Sequence, residues 1–213
     1  MADLLILSDS ELVDAAARTY SQGAKPFIDD LGSSIRLFLT TRADGLNVVS
    51  VEGTHDALGW LIDFLAVPAD EHDGVDHPAL GFIHAGFYVA AQAVIDRVEE
   101  VAAKPYALAG HSLGAAMALL LGGLLINRGR PPMKIGAFAP PRVGGDQFVK
   151  AVGKVPVSAY IYGNDLVPDV PFTILPAFPY EQVRLIQVGQ PRADRLSCHA
   201  IANYVAAVKE IAA

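Results

Sequence analysis

The sequence predicts an α/β fold in which a mostly parallel central sheet is covered by helices on both faces. Two observations carry this. Short apolar and β-branched runs alternate with segments of helical periodicity along most of the chain. One of these runs, Tyr106–Ala109, meets Gly110-His111-Ser112-Leu113-Gly114 and passes straight into Ala115–Leu121, an apolar segment of strong helix formers, which reads as strand, sharp turn and helix. No repeat or linker divides the chain, so one domain over residues 1–213 is expected.

Taken in order, Ser10 with Glu11 close behind can open a helix to about Tyr20, with Leu12, Val13, Ala16, Ala17 and Tyr20 on one face. Ser34–Thr41 and Leu46–Val51 alternate around Ala43-Asp44-Gly45 and predict a β-hairpin. The second strand runs into Glu52-Gly53-Thr54. Asp56–Phe64 predicts a short helix with Trp60 and Phe64 inward, and Leu65–Val67 a brief strand. Pro68–Pro78 is acidic and reads as a loop. His72 and His77 among its acids resemble a metal-site composition without a ligand spacing, so a solvated loop is the expectation there.

From Ile83 to about Ala103 the pattern is helical, through Phe87, Ala91, Val94, Ile95 and Val98. Beyond the glycine-flanked serine, Asn127–Pro132 reads as a loop, Lys134–Ala139 as a strand and Gly145–Val152 as a short helix. Val157–Tyr162 is the next strand, ending at Gly163-Asn164-Asp165. Val170–Tyr180, with three prolines, reads as a loop, Val183–Val188 as a last strand and Ala200–Ile211 as a last helix.

Composition narrows the function. The chain is 52% hydrophobic and 18% charged, with a mean hydropathy of +0.34, which suits a large core. A net charge of -7 and a pI near 5.2 exclude a basic stripe for nucleic acid and would repel anionic membrane surfaces. The single cysteine, Cys198, permits no intrachain disulfide and is expected to be a small buried packing residue. The first twenty residues carry Asp3 and no basic region before their apolar run, unlike a secretory signal. A soluble, cytoplasmic protein is the expectation, with export by a route lacking a cleaved signal as the alternative.

G-x-S-x-G is a short pattern in a chain with nineteen glycines, and its place at a strand-to-helix junction is what gives it weight. A serine at such a tip adopts a strained backbone that tolerates only small neighbours, here Gly110 and Gly114. The helix that follows offers its N-terminal amides to any anion formed beside Ser112. A serine hydroxyl also needs a base, and the base needs a carboxylate to orient it. In folds that use this turn the chain order is Ser, then Asp or Glu, then His. His55, His72, His77, His84 and His111 all precede Ser112, which leaves His199. Asp146, Asp165, Asp169, Glu181 and Asp194 lie between. Asp165 directly follows a strand, where catalytic groups of parallel sheets gather, with Asp169 its nearest rival in the same loop. Asp146 is more simply the N-terminal acid of a helix.

GHSLG at Gly110–Gly114, NDLVP at Asn164–Pro168, IHAGF at Ile83–Phe87, Glu52-Gly53-Thr54 before Trp60, and Pro141-Arg142-Val143-Gly144 together resemble the class 3 lipase family of α/β-hydrolases. These pieces run in family order from about Val48 to Tyr204. The resemblance implies Ser112 as nucleophile, His199 as base and Asp165, by the NDLVP match, as the triad acid. It implies an oxyanion hole from the amides of Thr54 and Leu113, with Asp63 either behind the oxyanion residue or simply a carboxylate on the surface of a helix. The sequence departs from the family at Glu52, where an arginine is common, and lacks the disulfides and signal of the secreted fungal members. Arg142 reads as an exposed arginine or as an anchor for the loop after its strand.

The implied activity is hydrolysis of carboxylesters, acylglycerols or other short-to-medium chain esters, through an acyl-enzyme and with no metal or organic cofactor. Phe172, Ile174, Leu175 and Phe178 beside Asp165 are candidates for the acyl pocket or for ordinary core. Pro68–Leu80 is too acidic for an amphipathic lid, while Ala57–Leu65 is apolar enough but short. Transient contact with a lipid surface fits such a substrate. Thioesterase, acyltransferase or phospholipase action on the same triad, or a non-catalytic binding protein, are the alternatives.

Overall fold

A computed structural model describes residues 7–30, 35–53, 74–171 and 180–212. Its centre is a seven-stranded sheet formed by β1 (Ile28–Asp30), β2 (Ile35–Thr41), β3 (Asn47–Val51), β6 (Tyr106–His111), β7 (Ile135–Phe138), β8 (Val157–Tyr162) and β9 (Leu185–Val188), in that spatial order. The predicted hairpin is β2–β3, paired antiparallel with Leu37 opposite Val51, and β1 extends it at the edge. From β3 to β9 every neighbour is parallel. The interior strands β3, β6 and β7 are buried at every residue, as strands covered on both faces must be.

Helices α1 (Asp9–Arg18) and α5 (Ile201–Ala212) cover one face, where Leu12, Val13 and Ala16 meet Phe138, Tyr160, Tyr204 and Val208. Helices α2 (Ala85–Val101), α3 (Leu113–Asn127) and α4 (Asp146–Val152) cover the other. Helix α3 is buried from Gly114 to Leu125, because it lies between the sheet and α2 and α4 and has no solvent face to keep polar. Among the described residues no helix is long and apolar enough to cross a membrane.

The first helix is capped two residues before the predicted Ser10 and begins at Asp9. Ser8 caps it, accepting from the Glu11 amide while the Glu11 carboxylate accepts from the Ser8 amide, and this reciprocal spacing of three favours Ser8 over Ser10. The larger correction concerns the acidic stretch. Residues 74–78 are not loop throughout, since β4 (Gly74–His77) pairs antiparallel with β5 (Gly81–His84) in a separate hairpin. That hairpin also takes Ile83 and His84 from the predicted helix, which begins at Ala85 with the His84 ring accepting from the Phe87 amide. His77 accepts from the Ala79 amide and lies edge-on to Tyr88, so its ring is engaged in this local turn. The helix expected at 56–64, the strand at 65–67 and the candidate lid at 57–65 lie outside the described residues.

Candidate active site

The parallel strands deliver three loops to one edge of the sheet, at their carboxyl ends. Ser112 follows β6, Asp165 follows β8, and His199 closes a 3-10 turn (Leu196–His199) after β9 and before α5. The turn at Ser112 is strained as expected for a serine pushed out of a strand end. Its φ is 58° and its ψ is -127°. The glycines around it are required by close approach, because a Cβ on Gly110 would lie 2.1 Å from the Gly114 carbonyl oxygen, and one on Gly114 would lie 2.3 Å from that of Val51.

Ser112 Oγ lies 2.9 Å from His199 Nε2, and His199 Nδ1 lies 2.8 Å from Asp165 Oδ2. With Nδ1–H donating to the carboxylate, Nε2 accepts from the serine hydroxyl. Ser112 and Asp165 are fully buried and His199 is 6% exposed, so these bonds form in a site poor in water. The Ser112 amide is engaged with the Phe138 carbonyl at 2.9 Å, whereas Leu113 opens α3, where an amide has no acceptor inside its own helix.

Asp165 is held by three donors. Besides His199, it accepts from the Val167 amide at 3.0 Å and from the Tyr204 hydroxyl at 2.6 Å. Burial and then the Asp165 charge push the Tyr204 phenol far above its ordinary pKa, so it stays a donor. Asp169, the rival acid, faces away to an ion pair with Arg195 at 2.5 Å.

The loop that carries His199 is clamped onto the loop that carries Asp165. Asn164 exchanges two hydrogen bonds with the Arg192 backbone, at 2.9 and 3.0 Å, and its carbonyl accepts from Arg195 at 2.8 Å. Cys198 is buried, as expected, and its thiol also donates to Asn164 Oδ1 at 3.3 Å. Arg142 is the anchor rather than an exposed arginine. Its guanidinium donates to the carbonyls of Asp169 and Pro171, binding the segment after β7 to the loop after β8.

At the exit of β3, Glu52 is buried and pairs with Arg36 at 2.5 Å, so an ion pair persists with the carboxylate on the turn and the cation on β2. Thr54 and Asp63, and the candidate pocket residues Phe172, Ile174, Leu175 and Phe178, lie outside the described residues. Tyr20, His111 and Tyr204, which touch members of the Ser112–His199–Asp165 group or their neighbours, have no counterpart among the sequence candidates. The one available signal was a histidine closing an otherwise apolar buried strand, where its ring nitrogens must find partners.

The sequence profile described as Lipase (class 3) matches residues 48–175. The chain is similar to the toxin TseL of Vibrio cholerae, 25% identical over 189 residues that make up 82% of this chain and 28% of that protein. It is similar to the chloroplastic phospholipase A1 PLIP2 of Arabidopsis thaliana, 29% identical over 56% of this chain and 18% of that one. It is also similar to the secreted mono- and diacylglycerol lipase A of Penicillium cyclopium, 31% identical over 58% of this chain and 42% of that one. The chain therefore spans less than half the length of these relatives. Among solved structures, a mutant form of the Penicillium cyclopium enzyme superposes with a TM-score of 0.70 at 22% identity, covering 87% of this chain and 80% of that one. Lipase II from Rhizopus niveus superposes with a TM-score of 0.67 at 21% identity, covering 84% and 77%. These superpositions establish the α/β fold shared with lipases.

Proposed function

Because the chain belongs to the class 3 lipase family, we propose that it hydrolyses carboxylesters, with Ser112 as nucleophile, His199 as base and Asp165 as the acid that orients it. The observation that carries this reading is the unbroken line of two hydrogen bonds from Ser112 Oγ through His199 to Asp165, 2.9 and 2.8 Å long.

Ser112 Oγ attacks the ester carbonyl as its proton passes to His199 Nε2. Asp165 stabilises the imidazolium and fixes its tautomer. The oxyanion rests on the Leu113 amide and, in this reading, on that of Thr54, each donor lowering the barrier by about 3 kcal/mol. Collapse breaks the bond to the alcohol oxygen, which leaves with the proton from Nε2. Water then repeats the sequence on the acyl-enzyme, giving up its proton to His199 and releasing the carboxylic acid and free Ser112.

The substrate class is argued from the relatives. One is named a mono- and diacylglycerol lipase and another a phospholipase A1, which supports acyl esters of glycerol-based lipids. The net charge of -7 favours neutral esters over anionic phospholipids. We place short-to-medium acyl chains first.

The test is turnover of p-nitrophenyl esters from acetate to palmitate, with monoolein and phosphatidylcholine alongside, by the purified protein and by S112A, with and without detergent. Activity that disappears in S112A is expected, with its maximum at short or medium chains. A folded protein inert on every ester, or an S112A variant as active as its parent, would overturn the assignment.

A further inference from the structure

We propose that His111 is a positioning residue, a neutral imidazole that ties the backbone of His199 to the turn after β3 by way of Tyr20. This rests on the reading of Ser112, His199 and Asp165 as a catalytic triad.

The argument starts from proton bookkeeping around a buried ring. His111 Nε2 lies 2.8 Å from the carbonyl oxygen of His199. A carbonyl only accepts, so Nε2 carries the hydrogen and Nδ1 of a neutral ring is an acceptor. Nδ1 lies 3.0 Å from the Tyr20 hydroxyl, which must donate to it. The Tyr20 oxygen can still accept, and the Gly53 backbone is a hydrogen-bond partner that lowers its pKa, as a donating amide does. The polarity of every bond is thereby set, in one direction, from Gly53 through Tyr20 and His111 to His199.

The groups around the ring agree. Tyr20 reaches it from the segment after α1, His199 lies with its ring centroid 4.7 Å away, and Tyr204 of α5 meets it edge-on at 5.6 Å. Two carboxylates lie one residue beyond. Asp165 is engaged by Tyr204 and His199, and Glu52, beside Arg36, acts on Tyr20. Burial, with Glu52 second, raises the Tyr20 phenol, which keeps it a proton donor. A protonated His111 would turn Nδ1–H against the Tyr20 hydroxyl and set a second cation against His199 just as the base takes the serine proton.

The bridge has a mechanical meaning. His111 is the residue before the nucleophile, so one short segment presents Ser112 to the front of His199 and grips the His199 backbone from behind. Gly53 completes it by having no side chain, since a Cβ there would lie 2.2 Å from the Tyr20 oxygen and 2.5 Å from the His111 carbonyl. The separations of 91 and 88 residues along the chain are spanned by one ring.

The test compares kcat, KM and folding of the wild type with H111L, H111Q, Y20F and the H111Q/Y20F double variant. A glutamine amide can reach the His199 carbonyl but offers Tyr20 no well-placed acceptor, so H111Q and Y20F should break the same link. The expectation is a loss in kcat of about a hundredfold for H111L, with KM changed by less than about twofold, since a displaced catalytic group costs turnover rather than binding. H111Q and Y20F should each lose about fivefold, and the double variant no more than either. Independently of turnover, nitrogen-15 NMR should show His111 as the Nε2–H tautomer from pH 8 down to pH 5. A folded H111L with wild-type kcat, multiplicative losses in the double variant, or a His111 that titrates in that pH range would each overturn the proposal. Should H111L fail to fold, the glutamine and phenylalanine variants and the tautomer decide. Loss of the triad reading shows separately, as ester turnover that survives in S112A.

Discussion

The hydroxyl of Tyr204 lies 2.6 Å from Asp165 Oδ2, the same oxygen that faces His199 Nδ1 at 2.8 Å. A tyrosine on the last helix thus shares one carboxylate oxygen with His199 and helps to hold it in place. The Tyr204 oxygen also accepts from the Tyr162 amide at 3.0 Å. Y204F removes a bond to a carboxylate and leaves a buried amide without its acceptor, and a loss of about 2 kcal/mol of stability is expected, together with a several-fold lower kcat. Denaturant unfolding checks the first and ester kinetics the second; a Phe variant as stable as its parent would show that water replaces the hydroxyl.

Two acids of the same loop separate by their partners. Asp165 is fully buried against His199, while Asp169 meets Arg195 at a half-exposed ion pair. D165N should lower kcat by about ten-thousandfold, since an amide no longer favours the correct imidazole tautomer. D169N should cost less than about 1 kcal/mol of stability and leave kcat within about threefold. Parallel kinetics on the two variants decide the assignment, and a larger loss in D169N would reverse it.

The elements that set these positions were legible to different degrees. Val157–Tyr162 is a strand with the predicted bounds, and Ser112, Asp165 and His199 follow three strand ends in the predicted order. Chain order constrains a triad because each member needs only the end of its own strand. The β4–β5 hairpin escaped because Gly74–His77 alternates no buried apolar residues and rests on pairing with a neighbour. β1 escaped because three residues are too few for a period. The supports of the site were illegible for another reason. Tyr204 to Asp165 spans 39 residues and Tyr20 to His111 spans 91, and no local spacing encodes such contacts.

His111 gives the protein a pH dependence with a definite sign. Burial, with His199 second, holds its pKa well below 6.5. The imidazole of the unfolded chain titrates near its ordinary value, about 6.5. Above that pH neither state binds the proton, and the stability is intact. Below it the unfolded chain gains a proton that the native ring refuses, so stability falls with decreasing pH, by up to about 1.4 kcal/mol per pH unit, until the native ring protonates. Unfolding free energies measured from pH 8 to pH 5 should fall more steeply for wild type than for H111Q, by close to one proton. Equal slopes would mean that His111 accepts its proton in the folded state.

The ion pair between Arg36 and Glu52 makes an asymmetric prediction. The Glu52 side chain is 5% exposed and that of Arg36 is 40% exposed, so the two partners differ in what their loss leaves behind. R36M deprives a buried carboxylate of its nearby cation, next to the turn on which an oxyanion would form. E52Q leaves a neutral amide inside and an arginine that can turn to water. R36M should therefore destabilise the fold by about 3 kcal/mol and E52Q by about 1 kcal/mol, with the double variant closer to E52Q than to the sum. Thermal unfolding of the three variants tests this. Additive stability losses would reduce the pair to a surface contact between β2 and the turn after β3.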